Sequence, residues 1–198
     1  MFFKKILILI FFINFINCNI YADEIEDFQI EGMSVGDSLL DYMNEDKINR
    51  SNRNYFNDTR KYYVVAVIDN LKTYQVLDIY LKTGDKKYII KSISAKIEIR
   101  SVTECISKKD QIAKELESFF PNVKKVEQVN IHEFDKSNKS KNYQTIFFLK
   151  GKKANDPHVR VECSSWSDEI KKKNNFVDTL NVNAVTTEIL NWIYGGYK

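Results

Sequence analysis

Ser38 is the residue whose surroundings most suggest chemistry, because it lies in the stretch "VGDSLLD" (residues 35–41). A serine can be the nucleophile of a hydrolase when a histidine takes its proton and a carboxylate orients that histidine. The chain contains two histidines, His132 and His158. Whether Ser38 is catalytic therefore depends on whether either histidine has the sequence context that this mechanism needs.

The letters Gly-Asp-Ser-Leu name the GDSL-type hydrolases, in which the histidine and carboxylate come from a D-x-x-H element and the sheet is parallel. Here Asn155 stands three positions before His158, and Val129 stands three positions before His132, so the acidic residue is missing in both cases. Glycine is also scarce, which leaves few places for a backbone oxyanion hole. A hydrolase that uses Ser38 is therefore the least favoured function, and no catalytic residue is predicted.

A helix start explains the same stretch more simply. Ser34 is a good N-cap residue, and Asp37, three positions later, completes a capping box. Apolar residues follow at a spacing that places them on one helical face: Val35, Leu39, Leu40 and Met43. The pattern predicts a helix that begins at Ser34, with Ser38 as an ordinary residue of its first turn.

The N-terminal residues 1–22 have the three parts of a secretory signal peptide. Lys4 and Lys5 are followed by an apolar run over residues 6–16 and then by a polar stretch that ends in Ala22. The apolar run is too short for a comfortable bilayer span, and no later stretch is apolar enough to span a membrane. We therefore expect export to the periplasm or secretion, with no integral membrane span after removal of the signal.

The expected mature chain, residues 23–198, is one domain whose charge is nearly balanced. Removal of the two lysines of the signal lowers the formal net charge from +3 to +1, which does not favour nucleic-acid binding. A polar, unpatterned stretch over residues 47–60 is typical of a loop or linker. Cys18 leaves open the alternative that the protein is a lipoprotein.

Cys105 and Cys163 are the two cysteines of the expected mature chain and lie 58 residues apart. In an oxidising compartment an even pair predicts a disulfide. A redox-active pair would need closer spacing, and a zinc site would have only two histidines as further ligands, so no metal or cofactor is expected. Trp166 follows Cys163 closely, and we expect it to pack against the disulfide.

Alternating apolar residues predict strands through the middle and the C-terminal part of the chain. The strand-like stretches are residues 61–67, 73–82, 87–99, 126–134, 142–150, 158–163 and 178–185. The second and third surround a Gly-Asp turn and predict a β-hairpin, with Ile89, Ile93 and Ala95 on one face of the third.

Helical spacing appears in fewer places than strand alternation. The stretch after Cys105 predicts a helix that begins at Ser107, is capped through Asp110 and ends at Pro121. Residues 186–194 predict a short amphipathic helix near the C-terminus. These patterns predict an α+β domain with a mainly antiparallel sheet of about six strands and two or three helices packed on one face.

Short lysine clusters occur at residues 136–141, 150–153 and 171–173. Such clusters are typical of solvated loop tips. The alternative is a rim that faces an anionic ligand or lipid headgroup.

Four segments together carry a resemblance to a known family: "FQIEGMSVGDSLLDYM", "ECISKKDQIAKELESFF", "EFDKSNKS" and "ECSSWSDE". They resemble a family of small uncharacterised proteins with signal peptides from AT-rich marine alphaproteobacteria. The resemblance covers most of the mature chain and agrees with the heavy use of lysine, asparagine and isoleucine. Because that family carries no assigned activity, the resemblance implies no catalytic residues for this chain.

An export signal without a catalytic constellation predicts a non-enzymatic, disulfide-stabilised domain that binds a protein or a component of the cell envelope. A carrier of small ligands, with a pocket between sheet and helices, is the alternative.

Overall fold

The computed structural model describes residues 25–53, 61–132, 135–151 and 153–196. The expected signal peptide and Cys18 lie outside these residues. Within them, no helix is both long enough and apolar enough to cross a membrane.

The described residues form strands and α-helices, and neighbouring strands pair in the antiparallel direction. The strands are β1 (Gln29–Ile30), β2 (Met33–Ser34), β3 (Asn52–Arg53), β4 (Tyr62–Val67), β5 (Val76–Lys82), β6 (Ile90–Glu98), β7 (Lys124–Ile131), β8 (Lys141–Phe148), β9 (His158–Ser165) and β10 (Thr179–Val185). The helices are α1 (Glu45–Arg50), α2 (Val102–Phe119), α3 (Asp168–Asn174) and α4 (Thr187–Tyr194).

One large antiparallel sheet organises the molecule, with strand order β3-β4-β5-β6-β10-β9-β8-β7. The α+β prediction is therefore confirmed, with seven long strands and the two-residue β3 where about six strands were expected. The last strand, β10, pairs with β6 on one side and with β9 on the other. It thereby joins the meander β4–β6 to the meander β7–β9.

The first face of the sheet is apolar and carries the main core. Its side chains come from alternate positions of the central strands: Leu77, Ile79, Ile93, Ala95, Val159, Val161, Leu180, Val182 and Ala184. Helix α2 packs across β8, β9 and β10 on this face. Complete burial of an aliphatic side chain contributes about 1.5–3 kcal/mol, so this face is the main source of stability.

Helix α2 begins earlier than the sequence predicted. Its N-cap is Ser101, whose hydroxyl accepts a hydrogen bond from the Glu104 N–H at 3.2 Å. Ser107 therefore lies inside the helix, and the capping box predicted for it is wrong. The earlier start adds more than one turn and places Cys105 in the buried stripe of the helix.

A polar residue also belongs to the buried stripe of α2. Lys109 is 6% exposed, and its ammonium group donates to the Thr145 hydroxyl of β8 at 2.9 Å. It also contacts the Asp110 carboxylate at 2.6 Å. These partners satisfy a charge that would otherwise be costly to bury.

A β-bulge corrects one detail of the predicted hairpin. Tyr80 of β5 lies opposite Ser92, but Leu81 lies opposite Ile90, so the register shifts by one residue beside Lys91. Ile90 is consequently the fully buried residue at this end of β6, whereas Ile89 was expected on the core face. Uninterrupted alternation would have placed Lys91 in the core, and the bulge avoids that cost.

The N-terminal described segment completes the cover of the apolar face. Ile30, Leu39 and Ile48 are buried in the same core as the sheet, and the Phe28 ring contacts the Phe120 ring of the α2 end at 5.8 Å. Helix α1 and strand β3 lie where the start of a loop over residues 47–60 was expected. Residues 54–60 lie outside the described part of the chain.

The two cysteines join helix and sheet. The sulfur atoms of Cys105 in α2 and Cys163 in β9 lie 2.16 Å apart, at disulfide distance, and both residues are buried. The pair therefore fixes the first turn of α2 to the middle of the sheet.

We expect the double substitution Cys105→Ser/Cys163→Ser to lower the stability of the folded chain. The disulfide closes a loop of 58 residues and so restricts the unfolded chain. Loss of that restriction should lower the free energy of unfolding by roughly 4 kcal/mol and Tm by about 10 °C. Thermal melts followed by circular dichroism provide the measurement, and parent protein treated with a reductant should reproduce the decrease. An unchanged Tm in the double variant would contradict this role.

Candidate functional site

The second face of the sheet is polar, in contrast to the apolar first face. Strand register aligns its side chains in two neighbouring rows. One row contains Lys96, Asn181, Glu162, Gln144 and Gln128, and the other contains Asp78, Ser94, Asn183 and Arg160. Side chains alternate along a strand. The residues between the core positions therefore point to the opposite face, where these polar groups lie.

Two walls turn the central part of this face into a groove of about 540 Å³. Ile189, Ile193 and Tyr194 of α4 form one wall. Trp166 and Phe176, on either side of α3, form the other, with ring centroids 4.8 Å apart. We call this space the polar groove; its floor consists of Ser92, Ser94, Lys96, Arg160, Glu162, Ser164, Asn181 and Asn183.

Helix α4 is held against the second face of the sheet by both apolar and polar contacts. Trp192 packs on Tyr62, with ring centroids 4.9 Å apart. The Tyr62 hydroxyl donates to the Glu188 carboxylate at 2.5 Å, and Lys91 lies 3.3 Å from the same carboxylate. Burial, together with the bond to Glu188, raises the pKa of Tyr62. The wall of the groove is therefore anchored to β4 and to the bulged start of β6.

Part of the floor is a connected hydrogen-bond network. Gln144 donates to the Glu162 carboxylate, and the Gln128 amide donates to the Gln144 carbonyl oxygen at 2.7 Å. Ser164 donates to the other Glu162 oxygen at 3.2 Å, and the Asn181 amide donates to Ser164 at 3.4 Å. These bonds hold the first row of polar side chains in place across four strands.

The second row contains three adjacent side chains without such bonds. Asn183 lies opposite Ser94 on β6 and opposite Arg160 on β9. Among the described residues, the side chains of these three residues have no hydrogen-bond partner, although Asn183 is only 6% exposed and the Arg160 Nε atom is buried. Within this row the Arg160 Nε atom is buried without a hydrogen bond, although a Glu162 oxygen lies 3.6 Å from it. Buried polar groups are normally hydrogen-bonded, so this atom and its two neighbours mark where a ligand could supply hydrogen bonds.

Charges on the floor are balanced rather than concentrated. Lys96 forms an ion pair with Asp78, and the Arg160 Nε atom lies 3.6 Å from a Glu162 oxygen. The groove therefore offers hydrogen-bond donors and acceptors without a strong field of one sign.

A second cavity of about 440 Å³ adjoins the polar groove and shares Arg160 and Tyr194 with it. His158 lines this cavity and is 3% exposed. Its Nδ1 atom lies 3.0 Å from the Asp156 carbonyl oxygen and so carries the proton, while Nε2 has no hydrogen-bond partner among the described residues. Burial lowers the pKa of His158 to about 4, so the ring is neutral at pH 7.

Ser38 lies away from the polar groove and has a structural role. Its hydroxyl donates to the Lys87 carbonyl oxygen at 2.7 Å and accepts from the Leu40 N–H at 3.3 Å. It is the N-cap of a short 3-10 helix over Leu39–Asp41. The Ser38 hydroxyl hydrogen is therefore engaged in a hydrogen bond to a backbone carbonyl. The described hydrogen bonds do not join Ser38 to a histidine.

The helix predicted from Ser34 is wrong, although half of its capping box exists. Ser34 belongs to β2, and its N–H donates to the Asp37 carboxylate at 2.8 Å. Because the 3-10 helix begins later and is short, Leu39 is buried whereas Leu40 is 41% exposed. Val35 and Leu39 nevertheless belong to the core and Met43 packs against it, so three of the four residues of the predicted apolar face point inward without the predicted helix.

The expected contact between Trp166 and the disulfide is also wrong. Cys163 faces the core, whereas Trp166, three residues later, faces the polar groove. Its ring contacts the His132 ring at 4.2 Å instead. Odd and even positions of an extended segment point to opposite faces, which separates the two residues.

The lysine clusters do not form one common rim. Residues 136–141 and 171–173 lie in connections at one end of the strands, and Lys171 contacts the Asp178 carboxylate at 2.8 Å. Lys150 and Lys153 lie in the connection at the opposite end, while residue 152 is not described. Among the described residues, no cluster of three or more metal-binding side chains occurs.

Comparisons with protein-family models, with curated proteins and with solved structures each find no match to this chain. The resemblance described above therefore stays a prediction.

The sequence contained a signal for the polar groove that apolar periodicity alone does not reveal. In "TLNVNAV", Asn181 and Asn183 alternate with the core residues of β10, and in "HVRVECS", Arg160, Glu162 and Ser164 alternate with those of β9. Strong polar side chains at the solvent positions of two central strands indicate a shared polar face. That the two strands are neighbours became visible only in the structure.

Substitution of Ser38 by alanine should destabilise the fold. Loss of the N-cap and of the hydrogen bond to the Lys87 carbonyl oxygen should lower the free energy of unfolding by about 1–2 kcal/mol, as measured by urea unfolding. Ser38→Thr should retain most of the stability because it keeps the hydroxyl. Ser107→Ala is a matched control inside α2 and should change stability little; an equal loss in both alanine variants would contradict the assignment.

His158 should make stability depend on pH. The unfolded chain binds a proton below its ordinary pKa near 6.5, but the folded chain does so only near 4. The neutral His158 ring therefore contributes fully to the free energy of unfolding above about pH 6.5. This contribution, up to about 3 kcal/mol, is lost as the pH falls toward 4. Urea unfolding at pH 7 and pH 5 measures it. His158→Gln should reduce this loss, whereas the control His132→Gln should retain it; equal pH dependence in all three proteins would contradict the prediction.

Proposed function

We propose that the protein is an exported, non-enzymatic binding domain that holds a polar component of the cell envelope in the polar groove. The observation that carries this proposal is the row Ser94–Asn183–Arg160, whose side chains face the groove without hydrogen-bond partners among the described residues. The signal-like N-terminus and the cysteine pair at disulfide distance support a site of action in an oxidising compartment.

The chemistry of the groove supports binding more than catalysis. Asn183 offers both a donor and an acceptor, and Arg160 offers only donors. Ser92 is the most buried serine of the floor, and its hydroxyl donates to the Ala184 carbonyl oxygen at 2.7 Å. The floor therefore presents recognition groups, while the hydroxyl of this serine has a structural partner.

A carrier of small ligands is the alternative, and the dimensions of the groove support it. A volume of about 540 Å³ lies within the range of about 300–1,000 Å³ that is typical of small-molecule sites. The two possibilities differ in what the bound molecule belongs to, a free solute or a larger envelope polymer.

A protein partner is a further candidate, supported by a different surface. Strand β7 is an outer strand of the sheet, and among the described strands it pairs with β8 alone. Its residues Val129 and Ile131 are 59% and 53% exposed. An open edge strand can accept a strand from another protein, so β7 is the place where such a partner would dock.

Native mass spectrometry of the protein purified from its host envelope tests the proposal. We expect a bound mass on the parent protein. The double variant Asn183→Leu/Arg160→Gln should lose it, because position 183 loses its amide and position 160 loses the guanidinium charge and most of its N–H donors. The matched double variant Asn122→Leu/Arg100→Gln changes exposed residues outside the groove and should retain it.

Two outcomes would contradict the proposal. One is a parent protein that carries no bound mass in any preparation from the envelope. The other is a bound mass that the groove variant retains in full, since the ligand would then lie elsewhere; loss after Val129→Lys would point to β7.

A further inference from the structure

We propose that the ligand of the polar groove is an uncharged glycan chain, an inference that rests on the proposed function. Its first support is the kind of polar group on the floor. The amide of Asn183 and the hydroxyl of Ser94 each combine donor and acceptor capacity, while the Asn181 amide, whose nitrogen already donates to Ser164 and Thr179, offers its carbonyl oxygen as an acceptor. Sugar hydroxyl groups have the same dual character, so these side chains can both give and take hydrogen bonds along a glycan.

The charge of the floor selects against an anionic chain. Both cations already have carboxylate neighbours, Asp78 for Lys96 and Glu162 for Arg160. A polyanion would bring further negative charge close to those carboxylates, whereas a neutral chain would not. The Arg160 Nε atom has no hydrogen-bond partner among the described residues, and Glu162 at 3.6 Å already balances its charge, so the guanidinium can donate to neutral hydroxyl oxygens.

Aromatic rings stand on both walls of the groove. Trp166 and Phe176 form a pair on one wall, and Tyr194, which is 62% exposed, belongs to α4 on the other. Sugar rings have faces of C–H groups, and the electron-rich face of an aromatic ring attracts such positively polarised edges. Polar groups on the floor and rings at the walls are thus the two kinds of contact that a sugar needs.

The length of the first polar row, which runs from the groove into the adjoining cavity, favours a chain over a single sugar. The row from Lys96 on β6 to Gln128 on β7 crosses four strand intervals, a distance of about 19 Å at the usual strand spacing. Gln144 and Gln128, the last two residues of this row, line the adjoining cavity, which shares Arg160 and Tyr194 with the groove. An oligosaccharide of several units can contact this whole row.

The test is binding of the full chain to an array of neutral and acidic glycans, followed by titration calorimetry with the neutral glycan that binds best. We expect neutral glycans to bind and Trp166→Ala to weaken binding about tenfold. Trp166→Phe should restore most of the affinity because it keeps a ring. Arg160→Gln should weaken binding by a similar factor, and the exposed control Arg100→Gln should leave it unchanged.

Tryptophan fluorescence adds a signature that a merely structural role would not give. The chain has two tryptophans, and only Trp166 lines the groove. A bound glycan should therefore change the emission of the parent but not that of Trp166→Phe, in which Trp192 is the sole tryptophan. Thermal melts of each variant separate loss of binding from loss of folding.

The outcomes distinguish this inference from the proposed function. If only acidic glycans bind, or if no glycan binds while native mass spectrometry still shows a groove-dependent bound mass, the uncharged glycan is overturned and the binding domain stands. If neither glycan nor bound mass is found, both proposals fail. Neutral glycan binding that Trp166→Ala and Arg160→Gln leave unchanged would place the glycan outside the groove and overturn the inference.

Discussion

The pairing of β10 with both β6 and β9 is the interaction on which the rest of the structure depends. Without it the chain would contain two separate meanders, each with one more exposed edge. Val182 of β10 lies between Ala95 and Val161, so the central strand joins the two halves of the core as well as the two halves of the hydrogen-bond ladder. The constraint acts over long separations in the chain, since residues of β6 and β10 are far apart in sequence.

Strand β10 contributes side chains to both faces of the sheet, the apolar face that stabilises the molecule and the polar face that is proposed to bind a ligand. Leu180, Val182 and Ala184 point into the core, where α2 and the cysteine pair cover them. Asn181 and Asn183 point into the polar groove, whose walls are α4 and the segment around α3. Alternation along one extended strand thus assigns stability and recognition to different sides of the same backbone. A change in the recognition groups need not disturb the packing of the core.

Much of the fold was predictable because its signals are local. Strand alternation located the seven long strands, and the spacing of Ile189, Leu190 and Trp192 in a short amphipathic stretch indicated α4. Errors occurred where a local rule competed with packing. Helix α2 has its N-cap at Ser101 rather than Ser107, and the added turn packs Cys105 on the sheet. The bulge beside Lys91 exchanges Ile89 for Ile90 in the core.

The chain by itself determined which residues alternate, where apolar side chains accumulate, and that two cysteines were available to bond. It also argued against the serine of "VGDSLLD" as a nucleophile, because neither histidine has an acidic residue three positions before it. Only the tertiary structure decided that Ser94, Asn183 and Arg160 form one row and that α4 encloses them. The physical reason is that periodicity arises between neighbours in sequence, whereas strand order arises from pairing between distant segments, and a groove exists only where those segments meet.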